Sequence, residues 1–214
     1  MTVSPEVAGV PELISSLAND VVIAIGHSGC TYDQASDAIK RGAKSCTHTF
    51  NAMRLFHQHE PAIMGAALES DIYCEAICDG LHLHPGAVRL LLKCKGWDRV
   101  VAITDSIMAA GLPDGQYKLG VNDVTVRNGD ATLTSTGVRA GSTLTQQRAL
   151  KNLLAFTGAP IQQVIRLLSA NPARLLGLQT KAQIAPGMDA NMILVRSDGS
   201  VVHTVVGGRL VFSA

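Results

Sequence analysis

Short apolar runs punctuate the chain, and a glycine or a polar residue closes each one before a segment with helical spacing begins. Val21, Val22, Ile23, Ala24 and Ile25 form a continuous apolar run ended by Gly26, which predicts a parallel strand buried on both faces. His27 and Ser28 then lie just past the strand's carboxyl end. Upstream, Thr2 to Ser4 predicts a strand stump ended by Pro5. Pro11 to Ala18 predicts a short helix with Leu13, Ile14 and Leu17 on one side. After His27, Thr31 is placed to cap a helix carrying Ala35, Ala38 and Ile39, with Gly42 as its stop.

The unit then repeats. Ser45 to Thr47 ends in His48, Thr49, Phe50 and Asn51, and a helix follows from Pro61 to Leu68. Ile72 to Cys78 ends in Asp79, Gly80, Leu81 and His82, and Pro85 opens a helix to about Lys93. Arg99 to Thr104 ends in Asp105. Gly26, His48, Cys78 and Thr104 are 22, 30 and 26 positions apart, a spacing suited to right-handed βα repeats. Four strands, or five with the stump, cannot close an eight-stranded barrel, so the series predicts an open sheet or the second half of a barrel.

From Gly111 the periodicity changes. Pro113, Asp114 and Gly115 supply turn chemistry, and Tyr117–Leu119, Val124–Val126 and Ala131–Leu133 predict short antiparallel strands, an excursion over about 112–136. Helical spacing returns at Thr143 to Phe156 and Ile161 to Ser169, and Asn171 and Pro172 start a third helix ending near Gly177. Asn191–Val195, Val201–Val206 and Leu210–Phe212 predict a small β layer at the C-terminus. The expected domains are a partial barrel over 1–180 and a β segment over 181–214.

Composition narrows the function. The 214 residues are 47% hydrophobic with a formal net charge of +1, so one core is affordable and nothing electrostatic favours nucleic acid or an anionic membrane surface. A small molecule or another protein chain is the expected partner. Cys30, Cys46, Cys74, Cys78 and Cys94 form an odd set without CxxC, which predicts reduced core thiols rather than a disulfide framework or a thiolate zinc site. No stretch reaches transmembrane length and the first residues lack a basic, then apolar, leader, so a cytoplasmic location is expected.

His27, His48, His82 and Asp105 stand at four successive strand ends. Imidazoles from neighbouring strands converge at such a mouth, and two of them with a carboxylate can hold a zinc whose bound water has a pKa of about 7. A single histidine favours a packing role; four such placements favour a site. His57, His84 and His203 lack that placement, and the last two read as surface or packing residues. Cys78 reads as core rather than nucleophile. Gly141, Ser142 and Thr143 precede a helix and fit either a phosphate cradle or an ordinary N-cap at Ser142 or Thr143.

The strings GHSGCTYDQA (26–35), THTFNAM (47–53), DGLHLHP (79–85), ITDSIMAAG (103–111), AGSTLT (140–145) and NPARLLGL (171–178) together resemble the N-acetylglucosamine-6-phosphate deacetylases and the related N-acetylgalactosamine-6-phosphate enzymes, in the same order along nearly the whole chain. The resemblance implies an α/β fold: the C-terminal part of a (β/α)8 TIM-type barrel with a small β-sandwich segment. It implies a metal-dependent amidohydrolase, with His27 and His48 as ligands of one divalent ion, expected to be zinc. Asp105 becomes the general base and acid, and His82 binds substrate and polarises the acetamide carbonyl. Asn51 and Ala52 would contact the sugar phosphate, and Arg139, Ala140 and Gly141 would close over the sugar.

Two departures from that family follow. Its remaining ligand is a glutamate in a segment resembling LEGPF, which this sequence lacks; Glu6 and Glu12 lie in another context. Where the family's loop reads like HHREPG, this chain has His57, Gln58, His59, Glu60, Pro61 and Ala62, so His59 stands in for a phosphate-binding arginine without its permanent charge or bidentate fork. The expectation is an amino-sugar-6-phosphate deacetylase lacking its N-terminal part, with weak metal binding and negligible turnover by itself. The alternatives are an assembly component that recruits a second copy or a separate N-terminal half, and an amidohydrolase for another amide.

Overall fold

The computed structural model describes residues 1–214. Its centre is a five-stranded, all-parallel sheet in which β1 (Thr2–Val3), β2 (Ala24–Ile25), β3 (Ser45–Cys46), β4 (Tyr73–Ile77) and β5 (Val100–Ile103) are neighbours in chain order. Sequential order is what repeated crossovers of one hand produce. The crossovers are α1 (Val10–Leu17), α2 (Tyr32–Lys40), α3 (Ala62–Glu69) and α4 (Pro85–Lys95). Ile14, Ala35, Ala38, Ile63, Ala67, Val88 and Leu91 from these helices pack on Ile23, Ile25, Cys46, Cys74, Ala76 and Val100 of the sheet.

The strand expected over Val21–Ile25 is shorter, because Val21 is exposed and regular pairing is confined to Ala24 and Ile25. Its ladder extends through single bonds: Lys44 N donates to Ile23 O at 2.8 Å and Thr47 N to Ile25 O at 2.9 Å. Thr31 caps α2 as expected, in a full capping box with Gln34. His84 is exposed but serves α4 as its N-cap, accepting from Gly86 N at 3.1 Å. Cys94 departs from the expected core set of thiols. It falls on the outer face of α4 and is exposed, whereas the other four cysteines are buried and all five are free.

The excursion is a three-stranded antiparallel sheet, β6 (Gly115–Leu119), β7 (Asn122–Arg127) and β8 (Asp130–Leu133). Asn128 and Gly129 join the last two with φ of 52° and 76°, the left-handed pair that a two-residue hairpin turn demands and Asn-Gly supplies. Val124, Val126 and Ala131 close with Ala109 into a small core of their own.

Three helices follow: α5 (Gln146–Thr157), α6 (Ile161–Leu168) and α7 (Ala170–Leu175). The first begins at Gln146 rather than Thr143 because Thr145 is the N-cap, its hydroxyl accepting from Arg148 N. Neither Ser142 nor Thr143 caps it. Ser142 is buried and donates to Thr104 O, while Thr143 Oγ1 donates to Gly129 O at 2.6 Å. Asn171 in α7, fully buried, donates to Trp97 O and Val100 O at 2.8 and 2.7 Å and so fastens the base of β5. The chain ends in the antiparallel sheet β9 (Met192–Val195), β10 (Val201–Val206) and β11 (Arg209–Ser213). No helix is long and apolar enough to cross a membrane.

Candidate active site

Parallel pairing puts the carboxyl ends of β2 to β5 along one edge, and the chemically capable side chains stand there. Three of them have backbones that L-residues adopt at a cost: His27 has φ of 48°, His48 of 30° and Asp105 of 49°. Non-glycine residues held at positive φ concentrate at functional sites, where strain of about 1–3 kcal/mol is tolerated because the surroundings over-determine it.

His27 and His48 meet directly. Their Nε2 atoms are 2.8 Å apart and the rings lie edge to face, with centroids 4.5 Å apart at 68°. The approach depends on Gly26, since a Cβ there would stand 2.8 Å from Thr47 Cβ. His48 is 5% exposed and its Nδ1 has no partner. Burial, and then the neighbouring His27, push its pKa below the usual histidine value, with the charge of Asp105 opposing them. Asp105, at the end of the fourth of these strands and itself exposed, thus acts on His48 through its charge.

His82 is held differently. Its Nδ1 lies 2.6 Å from Asp79 Oδ2, both side chains being 8% exposed, and Asp79 Oδ1 accepts from Leu81 N and His82 N at 2.8 and 2.7 Å. Burial would raise the pKa of Asp79, but these bonds together hold it below the ordinary carboxylate value. Next to it, burial pushes the Cys78 thiol up to about 12, as suits a core residue and not a nucleophile.

Asn51 and Ala52 lie in the turn after His48. Asn51 Nδ2 donates to His48 O and Thr49 O at 3.1 and 3.3 Å, and Ala52 O accepts from Ser28 N at 3.1 Å, so this turn and the one after His27 brace each other. Arg139, Ala140 and Gly141 return beside Asp105: Ser142 N donates to Asp105 O and Ile107 N to Ser142 O. Arg139 is paired bidentately with Asp130 at 2.8 and 2.9 Å. His59 is not drawn into the cluster. It is exposed in a turn closed by His57 and Glu60, its ring 5.3 Å from that of His57.

Two further carboxylates brace the site: Glu6, set aside above as a ligand, and Glu75, which the sequence did not single out. Glu6 accepts from Ser28 Oγ at 2.6 Å and Gly29 N at 2.7 Å, clamping the turn that carries His27. The signal for it was position, because Glu6 follows β1 as His27 follows β2. Glu75 sits within β4, where burial raises its pKa; its oxygens accept from Ser45 Oγ at 3.1 Å and His48 N at 3.4 Å. An acid inside an otherwise apolar strand was its signal.

The two Nε2 atoms stand at hydrogen-bond distance, 2.8 Å, closer than the ~3.3 Å between two ligands of a tetrahedral zinc with Zn–N of about 2.0–2.1 Å, so the rings must part slightly to share an ion, and zinc sites take at least three protein ligands. No group of three His, Cys, Asp or Glu in this chain could hold a metal ion. The donor set here is therefore incomplete.

Residues 8–211 match the family model described as "Amidohydrolase family". The chain belongs to the amidohydrolase family. Amidohydrolases are hydrolytic enzymes and generally use a divalent metal. A curated N-acetylglucosamine-6-phosphate deacetylase of Vibrio furnissii is 39% identical over 217 residues, covering 100% of this chain and 54% of that protein. The crystal structure of the deacetylase of that name from Thermotoga maritima superposes with a TM-score of 0.95 at 39% identity, covering 100% of this chain and 59% of that one. A mutant of the Mycobacterium smegmatis enzyme in complex with N-acetyl-D-glucosamine-6-phosphate gives 0.95 at 36% identity, covering 99% and 57%. The chain spans about half the length of the curated relatives it matches. These amidohydrolase neighbours have the TIM-barrel fold, which resolves the choice between open sheet and barrel: the five parallel strands are a barrel portion.

Proposed function

We propose that this chain is the part of an amino-sugar-6-phosphate deacetylase that carries the acid–base group, hydrolysing N-acetylglucosamine 6-phosphate to glucosamine 6-phosphate and acetate once the rest of the barrel is supplied. The observation that carries the reading is the meeting of His27 and His48 at adjacent strand ends, with Asp105 at the end of β5 acting on His48 through its charge. Asp105 accepts a proton from the attacking water as its oxygen bonds to the acetamide carbon. It returns a proton to the amine as the C–N bond breaks, without which the amine is a poor leaving group. His82 hydrogen-bonds the carbonyl oxygen as charge develops on it.

Asn51 and Ala52 border the sugar phosphate, and Arg139 to Gly141 cover the sugar. Zinc is the proposed ion, because neutral imidazole suits it. His27 and His48 would be two of its ligands and the others would come from outside this chain, from a missing N-terminal portion or a second copy. The free thiols fit a cytoplasmic setting.

The test adds the N-terminal portion of the Vibrio furnissii relative in trans and measures acetate release with zinc. Turnover is expected only in the combination, and Asp105→Asn should lower it by about 10²–10⁴-fold. No turnover in a stable combination overturns the reading; ordinary rates from the chain alone overturn the need for a partner. His59, standing where the resembling family has an arginine, favours a second reading with an unphosphorylated N-acetyl sugar, and comparing phosphorylated with unphosphorylated substrates decides it.

A further inference from the structure

The carboxylate of Asp79 is committed at both oxygens. Oδ1 takes the backbone N–H groups of Leu81 and His82, and Oδ2 faces His82 Nδ1 at 2.6 Å. An ionised carboxylate has no proton to give, so the proton in the Asp79–His82 bond belongs to the ring. The turn that carries both residues is anchored from outside, with Asn152 Nδ2 donating to Cys78 O at 2.9 Å. Of the groups beside the dyad, Arg139 senses the charge of Asp79 while paired to Asp130, and the Cys78 thiol is neutral.

We propose that Asp79 is a positioning residue that fixes the His82 proton on Nδ1 and presents Nε2 to the mouth as the free nitrogen. In the neutral ring Nε2 is then an acceptor, and it donates to a substrate carbonyl only when the ring is doubly protonated. This deepens the role given to His82 above and rests on that reading only for the carbonyl; the tautomer is a property of the chain itself.

Asp79→Asn makes the test sharp. Oδ1 of the asparagine remains the acceptor for Leu81 N and His82 N, which leaves its NH2 group facing His82 Nδ1. Two donors cannot face each other, so the ring must move its proton to Nε2.

Nitrogen-15 NMR of the His82 ring, at a pH alkaline enough for the ring to be neutral, reads the tautomer directly and needs neither metal nor turnover. The native chain is expected to show a protonated Nδ1 and a bare Nε2, and Asp79→Asn the reverse. A native ring protonated on Nε2 overturns the proposal, as does a folded Asp79→Asn that keeps the native tautomer. Should that variant fail to fold, the native spectrum decides alone. Absence of deacetylation with a protonated Nδ1 would sink the proposed activity and leave this inference standing.

Discussion

The burial of His48 fixes the sign of a pH effect. His48 has a lowered pKa in the fold, from burial first and His27 second, so below the unfolded histidine value of about 6.5 the unfolded chain binds a proton that the folded one resists. Stability contributed by the neutral ring is thus complete above about pH 6.5 and is lost as pH falls from there through the folded value. Glu75 acts in the opposite sense: its pKa is raised, so its contribution fades as pH rises from the ordinary carboxylate value through the folded one. Urea denaturation at a series of pH values should show a decline on the acid side of neutrality that His48→Gln abolishes. An unchanged decline in that variant would assign it to other groups.

At the level of strands and turns, the sequence made the βα repeats legible because each apolar run is bounded by Gly, Pro or a cap, and Thr31 and Pro85 start helices where composition says they should. The four strand-end residues were legible for the same reason. Hidden were the positive φ of His27, His48 and Asp105 and the clamp from Glu6. These depend on which turn lies against which, and no single stretch of sequence encodes that. Gly141 is the clearest case. Its φ is 61°, and a Cβ would lie 2.5 Å from Ile107 Cγ2 and 3.0 Å from Asp105 O. Gly141→Ala should therefore cost about 1–3 kcal/mol, read as a lower denaturation midpoint. It should also shift the backbone amide signals of residues 105–107 while leaving the His27 and His48 signals in place; a neutral substitution would mean that the Asp105 turn does not need this close approach.

Across the chain as assembled, two features point outward. The terminal sheet leaves Leu194 56%, Val211 59% and Phe212 50% exposed, more clustered apolar surface than a stable lone layer leaves to water. The parallel sheet has β1 and β5 as unpaired edges, which are templates for further strands. The metal requirement has the same shape, since His27 and His48 offer two nitrogens and a catalytic zinc takes three protein ligands. Calorimetric titration of the isolated chain with zinc should give weak binding that His27→Ala removes. Adding the N-terminal portion of a relative should convert it to tight, one-to-one binding that still depends on His27. Tight binding by the isolated chain would mean that its own residues rearrange to complete the set, and the incompleteness argued from the two imidazoles would fail. Tight binding that survives His27→Ala would move the ion elsewhere, and the proposed site with it.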